Sequence, residues 1–262
     1  MTPEPTAGTV VVRSSVSAWR AIVVGATALL AVGIGSVAGS FLLLGAGAAP
    51  GAAAAYAPAD ALVYAELRLK LGSQQEADLA AIIERFPGGE LSGTVLDKVG
   101  ELVDSGFEAE GLDARWADDV APWFDGRLAV VVLDYPSTSD PATTTPPTTL
   151  VLAGSTDAAA ATAATDRLRA AAEEGGATVT SADHAGTTVW SLEPASGEAF
   201  AYAVVDDQVL VGTGADAVTS ALDVRAGRAP SLADRPELAD LAGRLPADWV
   251  GFVATDTSAM WA

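Results

Sequence analysis

Adjacent carboxylates beside aromatic rings are one way a glycosidase or sugar site shows itself in a sequence, and Asp118-Asp119 lies next to Trp116, Pro122 and Trp123. Acid–base work by such a pair needs both carboxyls in one cleft, in environments that push their pKa values apart. Neighbouring residues seldom point the same way, so the stretch reads more simply as two tryptophans packed under a loop. A hydrolase using carboxylates near Asp118 and Asp119 is therefore the alternative reading. His184, the only histidine, follows Asp183 in a turn-like SADHAG and is expected at the surface. Asp206-Asp207 reads as a tight hairpin turn and Glu173-Glu174 as a helix end, both solvated. Gly212-x-Gly214 precedes a helix, as phosphate-binding loops do, but it lacks a third glycine, a following Lys and basic company. An ordinary strand-to-helix turn is the better reading. The chain has no cysteine, which removes disulfides, thiolate nucleophiles and cysteine-based metal sites. No D-x-D-x-D-G calcium loop is present. No catalytic, cofactor-binding or metal-binding residue is assigned, and no cofactor is expected.

The elements that would position any site divide into an apolar N-terminal part and an acidic remainder. Fourteen Lys and Arg against thirty-four Asp and Glu give a formal charge of −20, which excludes a nucleic-acid partner because binding there displaces phosphate counterions with basic side chains. From Ala21 to Ala49 runs a stretch of twenty-nine residues without a charge. A bilayer core needs roughly 20 helical residues, so the run is long enough for a transmembrane helix. Arg13 and Arg20 precede it, Trp19 sits where an interface would fall, and no basic residue follows until Arg68. These features predict a single-pass protein of the cell membrane, with residues 1–20 a disordered cytoplasmic tail and everything after Pro50 extracytoplasmic. Membrane lipid is then the partner of residues 21–49, and an envelope protein or glycan is the expected partner of the rest. A cleaved signal peptide is the competing reading, with Ala52 to Ala55 offering small residues to a signal peptidase, but the run is about twice a typical 7–15-residue apolar core. Gly35-x-x-x-Gly39 is the pattern of a helix-pairing face, and composition alone accounts for one such match.

Beyond the run, residues 50–57 read as a tether and 58–262 as an α+β domain of mainly antiparallel sheet with packed helices. ALVYAELRL (61–69) is a strand whose register stays open: Leu62, Tyr64 and, as an option, Glu66 fall opposite Val63 and Leu67 only in part. Leu79, Ile82, Ile83 and Phe86 make a helical stripe stopped by Pro87-Gly88-Gly89. Leu91, Val95, Val99, Leu102 and Val103 make a second, with Gly106 as a C-cap candidate. The stretch 113–124 is irregular. Further strands are expected at 127–135, 148–154, 177–181, 187–193, 199–205, 208–213 and 248–255. Ser155-Thr156-Asp157 offers N-caps for an Ala-rich helix reaching Glu174 and ended by Gly175-Gly176. Val218, Ala221, Leu222 and Arg225 mark another helix, closed by Gly227, and Leu238, Leu241 and Leu245 a last one, with Pro236 near its start. The Pro/Thr tract 136–149 is expected as a disordered loop joining two antiparallel strands, rather than a linker between domains. Pro-Ala-Asp stands before a strand at both Pro58 and Pro246, so 246–262 is either a chance echo or the start of a truncated second module.

Taken together, PADALVYAELRL with QQEADLAAIIERFP, GLDARWADDVAPWF with GRLAVVVL, AYAVVDDQVLVGTGADAVTSAL and SLADRPELADLAGRLPADWVGFVATD resemble the bacterial membrane-anchored family catalogued as domain of unknown function 3352. These stretches span residues 58 to 256. The Arg85-Phe86-Pro87 step and Asp119-Val120-Ala121-Pro122-Trp123 are the most telling. The family pattern has Leu-Gly after Pro-Trp, where this chain has Phe124-Asp125-Gly126. The resemblance implies a single anchor, an extracytoplasmic α+β region, a longer chain and no assigned activity. It carries over no site residue.

Overall fold

Short apolar stretches bounded by turn residues become eight strands in the computed structural model, which describes residues 52–83, 93–109, 112–134, 147–194, 199–242, 244 and 249–255. The strands are β1 (Val63–Arg68), β2 (Phe124–Asp134), β3 (Thr148–Ser155), β4 (Thr178–His184), β5 (Thr187–Glu193), β6 (Phe200–Val205), β7 (Gln208–Gly212) and β8 (Gly251–Thr255). They form one sheet in the order β4-β5-β6-β7-β3-β2-β1-β8, with every neighbouring pair antiparallel. Among the described residues five helices accompany it: α1 (Ser73–Ile83), α2 (Val95–Ala109), α3 (Ala158–Glu174), α4 (Ala215–Arg225) and α5 (Pro236–Ala242). The fold is thus α+β, a mainly antiparallel sheet with packed helices. β2 and β3 pair across the Pro/Thr tract with Val130 opposite Val151. Thr148 and Thr149, at the end of that tract, belong to β3, and residues 135–146 lie outside the described residues. β8 pairs with β1, Val253 opposite Ala65, so the two strands that follow the Pro-Ala-Asp echo are neighbours.

Period-2 alternation sorts side chains onto two faces. Tyr64 and Glu66 of β1 share the first face with Ala129, Val131, Leu150, Leu152 and Leu210, beneath α4. This settles the register left open by the sequence. The other face carries Leu67, Leu128, Val209 and Val211 under Val99 of α2 and Ala161 and Ala164 of α3. The small side chains of α3 let its backbone come close to the sheet, and Asp157 caps it by accepting from Ala159 and Ala160 N–H, both at 3.0 Å.

Three expectations are corrected. Gly106 does not end α2; it is buried inside a helix that continues to Ala109, followed by the buried Phe107. Leu102 lies off the packed stripe and is 43% exposed, because Leu96, rather than Leu102, joins Val95, Val99 and Val103 on the inner face. The stretch 50–57 is packed from Ala52 onward: a 3₁₀ turn over Ala52–Ala55 buries Ala53 and Ala54, and Tyr56 and Ala57 follow them into the core. The reason is steric, since alanines let a tight turn pack against the Leu232 turn within the core cluster that α4 also joins. Among the described residues no helix is long and apolar enough to cross a membrane, and the run 21–49 lies outside them.

Candidate functional site

A cleft of about 460 Å³ opens where the N-terminal turn, the β6–β7 turn, the end of α4 and the segment after it converge. Ala52, Ala55, Tyr56, Asp206, Asp207, Arg225, Ser231, Ala233 and Asp234 line it. The β6–β7 hairpin turn is Asp206-Asp207, as the sequence indicates, and Asp206 takes a left-handed φ of 51°, a conformation Asp tolerates better than most residues. Neither carboxylate is merely solvated. Asp206 Oδ2 accepts from Arg225 Nε at 2.6 Å and from the Tyr56 hydroxyl at 3.1 Å. Arg225 ends α4, where a cation also answers the helix dipole, and its guanidinium lies 6.0 Å from the Tyr56 ring. The Arg225 hydrogen bond, with help from Tyr56, holds the Asp206 carboxyl below its usual range. Burial, assisted by the charge of Asp206, pushes the Tyr56 phenol up to about 12.

Asp207 connects this cleft to a buried polar group behind it. Its Oδ2 lies 3.6 Å from Arg127 Nη2, while Arg127 Nε donates to Asp125 Oδ2 at 2.6 Å. Burial works against the charge of Arg127, yet Asp125, with Asp207 and Glu66 behind it, holds the guanidinium above its ordinary value. Further in, Tyr64 donates to Glu66 Oε2 at 2.6 Å, each residue only 1% exposed. Burial first, then the Glu66 carboxylate, drives the Tyr64 phenol far above its ordinary range. The sequence reading missed Tyr56, Arg225, Tyr64 and Arg127 as parts of one array.

The residues singled out from the sequence are placed elsewhere. Trp116–Val120 forms a single π-helical turn, closed by Ala121 N–H to the Trp116 carbonyl at 2.7 Å. Asp119, 15% exposed, accepts from Arg115 N–H at 3.0 Å and from Arg167 Nη2 at 3.0 Å. Its carbonyl takes the Trp123 indole N–H at 2.7 Å. Asp118 is exposed. The two tryptophans pack edge-on against Phe124, with centroids 5.4 and 6.3 Å away, Trp123 buried in the core and Trp116 half-buried at its edge. Asp119 therefore clamps the turn to α3 rather than facing a substrate with Asp118. His184 is half-buried rather than at the surface, bridging β4 to α4 through Nε2 and Asp223 Oδ1 at 2.8 Å. Asp223 also holds Arg228 at 3.2 Å, and among the described residues no hydroxyl contacts His184. Gly212 and Gly214 serve the strand-to-helix turn: a Cβ on Gly212 would meet that of Ala217 at 2.7 Å, and Gly214 has φ +116°.

Chemically, the cleft offers paired charges and hydroxyls. Ser231 is not available as a nucleophile, since its Oγ donates to the Ala54 carbonyl and accepts from Ala233 N–H, both at 3.0 Å. Among the described residues no group of three or more acids or histidines could hold a metal ion.

A family model described as protein of unknown function (DUF3352) matches residues 22–253, and the chain belongs to that family. No curated protein and no solved structure matches the chain.

Proposed function

We propose that this chain is a single-pass membrane protein whose residues 21–49 cross the bilayer as a helix, with residues 1–20 in the cytoplasm and the acidic α+β domain outside, where it binds or scaffolds an envelope protein or glycan. The observation that carries the reading is the uncharged run of twenty-nine residues, joined by only Pro50 and Gly51 to a turn packed in the core. Two further points support it. The family match covers residues 22–253, so the shared region takes in all of the run but Ala21. Cleavage among Ala52 to Ala55 would sever the buried Ala53 and Ala54 from their packing, which weighs against a removed signal peptide. A binding role is favoured over catalysis because Tyr56, Asp206, Arg225 and Ser231 of the cleft are held by hydrogen bonds within the domain, and Asp119 outside it by Arg115 and Arg167. Protease added to spheroplasts is expected to digest the domain while carbonate leaves the chain in the membrane. Protection of the domain overturns the topology, and release by carbonate overturns the anchor.

A further inference from the structure

We infer that the end of the domain carrying the Tyr56–Asp206–Arg225 cleft is held against the lipid headgroups, with the β2–β3 end pointing away from the bilayer. The inference rests on the anchor reading above. It adds an orientation that an anchor on a loose tether would not impose.

Chain length sets the orientation. The last block of large apolar residues before the domain is Phe41–Leu44, which a membrane-crossing run would keep in hydrocarbon. Eight positions separate Leu44 from Ala52, so the two stand at most about 28 Å apart when fully extended, and about 12 Å apart if the stretch is helical. Part of that length is used in crossing the headgroup layer. A domain of this size is about 40 Å across. The leash is therefore shorter than the body it holds, and the surface it enters must stay on the membrane side. That surface is the cleft, because Ala52 and Ala55 line it and Ala53, Ala54, Tyr56 and Ala57 are buried beside it. Asp134 marks the far end. It lies seven residues along β2 from Arg127, whose guanidinium meets Asp207 of the cleft, so it stands about 23 Å further out.

Charge is consistent with this placement. The chain after residue 20 carries −21 and would be repelled by an anionic leaflet. The cleft lining keeps an excess of acids, Asp206, Asp207 and Asp234 against Arg225, but the segment 223–237 that borders it carries three Arg with three acids. Arg225 pairs with Asp206, Arg228 with Asp223 and Arg235 with Glu237, at 2.6, 3.2 and 3.8 Å. The acidic protein thus presents toward the bilayer a surface on which cations accompany the carboxylates.

The chain has no cysteine, so single-cysteine labelling needs no background substitutions. Ala55→Cys and Asp234→Cys at the cleft and Asp134→Cys at the far end are all exposed positions. Each full-length variant is labelled with bimane and reconstituted into phosphatidylcholine vesicles containing a headgroup-nitroxide lipid. Quenching several-fold stronger at positions 55 and 234 than at 134 is expected. Equal quenching, or stronger quenching at 134, in protein that resists carbonate extraction overturns the orientation alone. Protein that leaves the vesicles in carbonate overturns the anchor and the orientation with it. A variant that fails to melt cooperatively is set aside, and the remaining cleft position decides against 134.

Discussion

The Tyr56 hydroxyl donates to Asp206 Oδ2 at 3.1 Å, across 150 positions of sequence. It ties the segment that follows the apolar run to the hairpin turn in the middle of the sheet. Tyr56→Phe keeps the ring and removes that bond, for an expected loss of about 0.5–1.5 kcal/mol. Deleting residues 51–57 removes the ring and three buried alanines together. A fragment starting at Pro58 is therefore expected to unfold at clearly lower denaturant than one starting at Gly51, and equal midpoints would show that the turn contributes nothing.

The same contact predicts opposite behaviour at the two ends of the pH scale. Asp206 has its folded pKa lowered, first by Arg225, so its contribution is full above about pH 4 and is lost as pH falls through the lower folded value. Tyr56 has its folded pKa raised by burial to about 12. Its contribution is full below about pH 10 and is lost as pH rises toward the folded value. Urea midpoints followed into alkali should fall less steeply in Tyr56→Phe than in the parent.

Tyr64→Phe is expected to cost more than Tyr56→Phe. The acceptor it abandons, Glu66, is 1% exposed, whereas Asp206 is about half exposed and keeps Arg225. Removing a donor from a buried carboxylate costs about 1–3 kcal/mol, and more where the charge is retained. Matched denaturation curves of the two variants test the ranking.

Gly212→Ala places a methyl against Ala217 of α4, at a point where β7 and the helix already touch. Overpacking of this kind costs about 1–3 kcal/mol. A phosphate-binding role would make the substitution change affinity for inorganic phosphate instead, and calorimetry separates the two outcomes.

Asp118 and Asp119 are expected to part company. Asp119→Asn weakens the clamp to Arg167 and should lower the melting temperature, while Asp118→Asn, at an exposed position, should stay within about 0.5 kcal/mol of the parent. Turnover of a glycan, peptidoglycan or ester by the parent protein, lost in both variants, would restore the hydrolase reading.

The sequence alone determined the strands, both ends of α3 and the hairpin at Asp206-Asp207, because those depend on contacts within a few residues. Alternation marks a strand wherever it pairs, and Asp157 caps α3 through its own neighbours. It also determined that Trp123 is a core residue and that Trp116 packs against the same cluster, since large apolar rings beside a proline have few other uses. Tertiary structure decided the rest. The face taken by Glu66 depends on a register fixed by β2 and β8 together. AAAAYA carries no local mark that separates a tether from a packed turn; its burial comes from α4 and the Leu232 turn, far away in the chain. The cleft could not be read in advance for the same reason. Its residues come from three distant segments, and each looks like an ordinary turn, helix end or surface acid until the fold brings Tyr56 and Arg225 into hydrogen-bonding distance of Asp206.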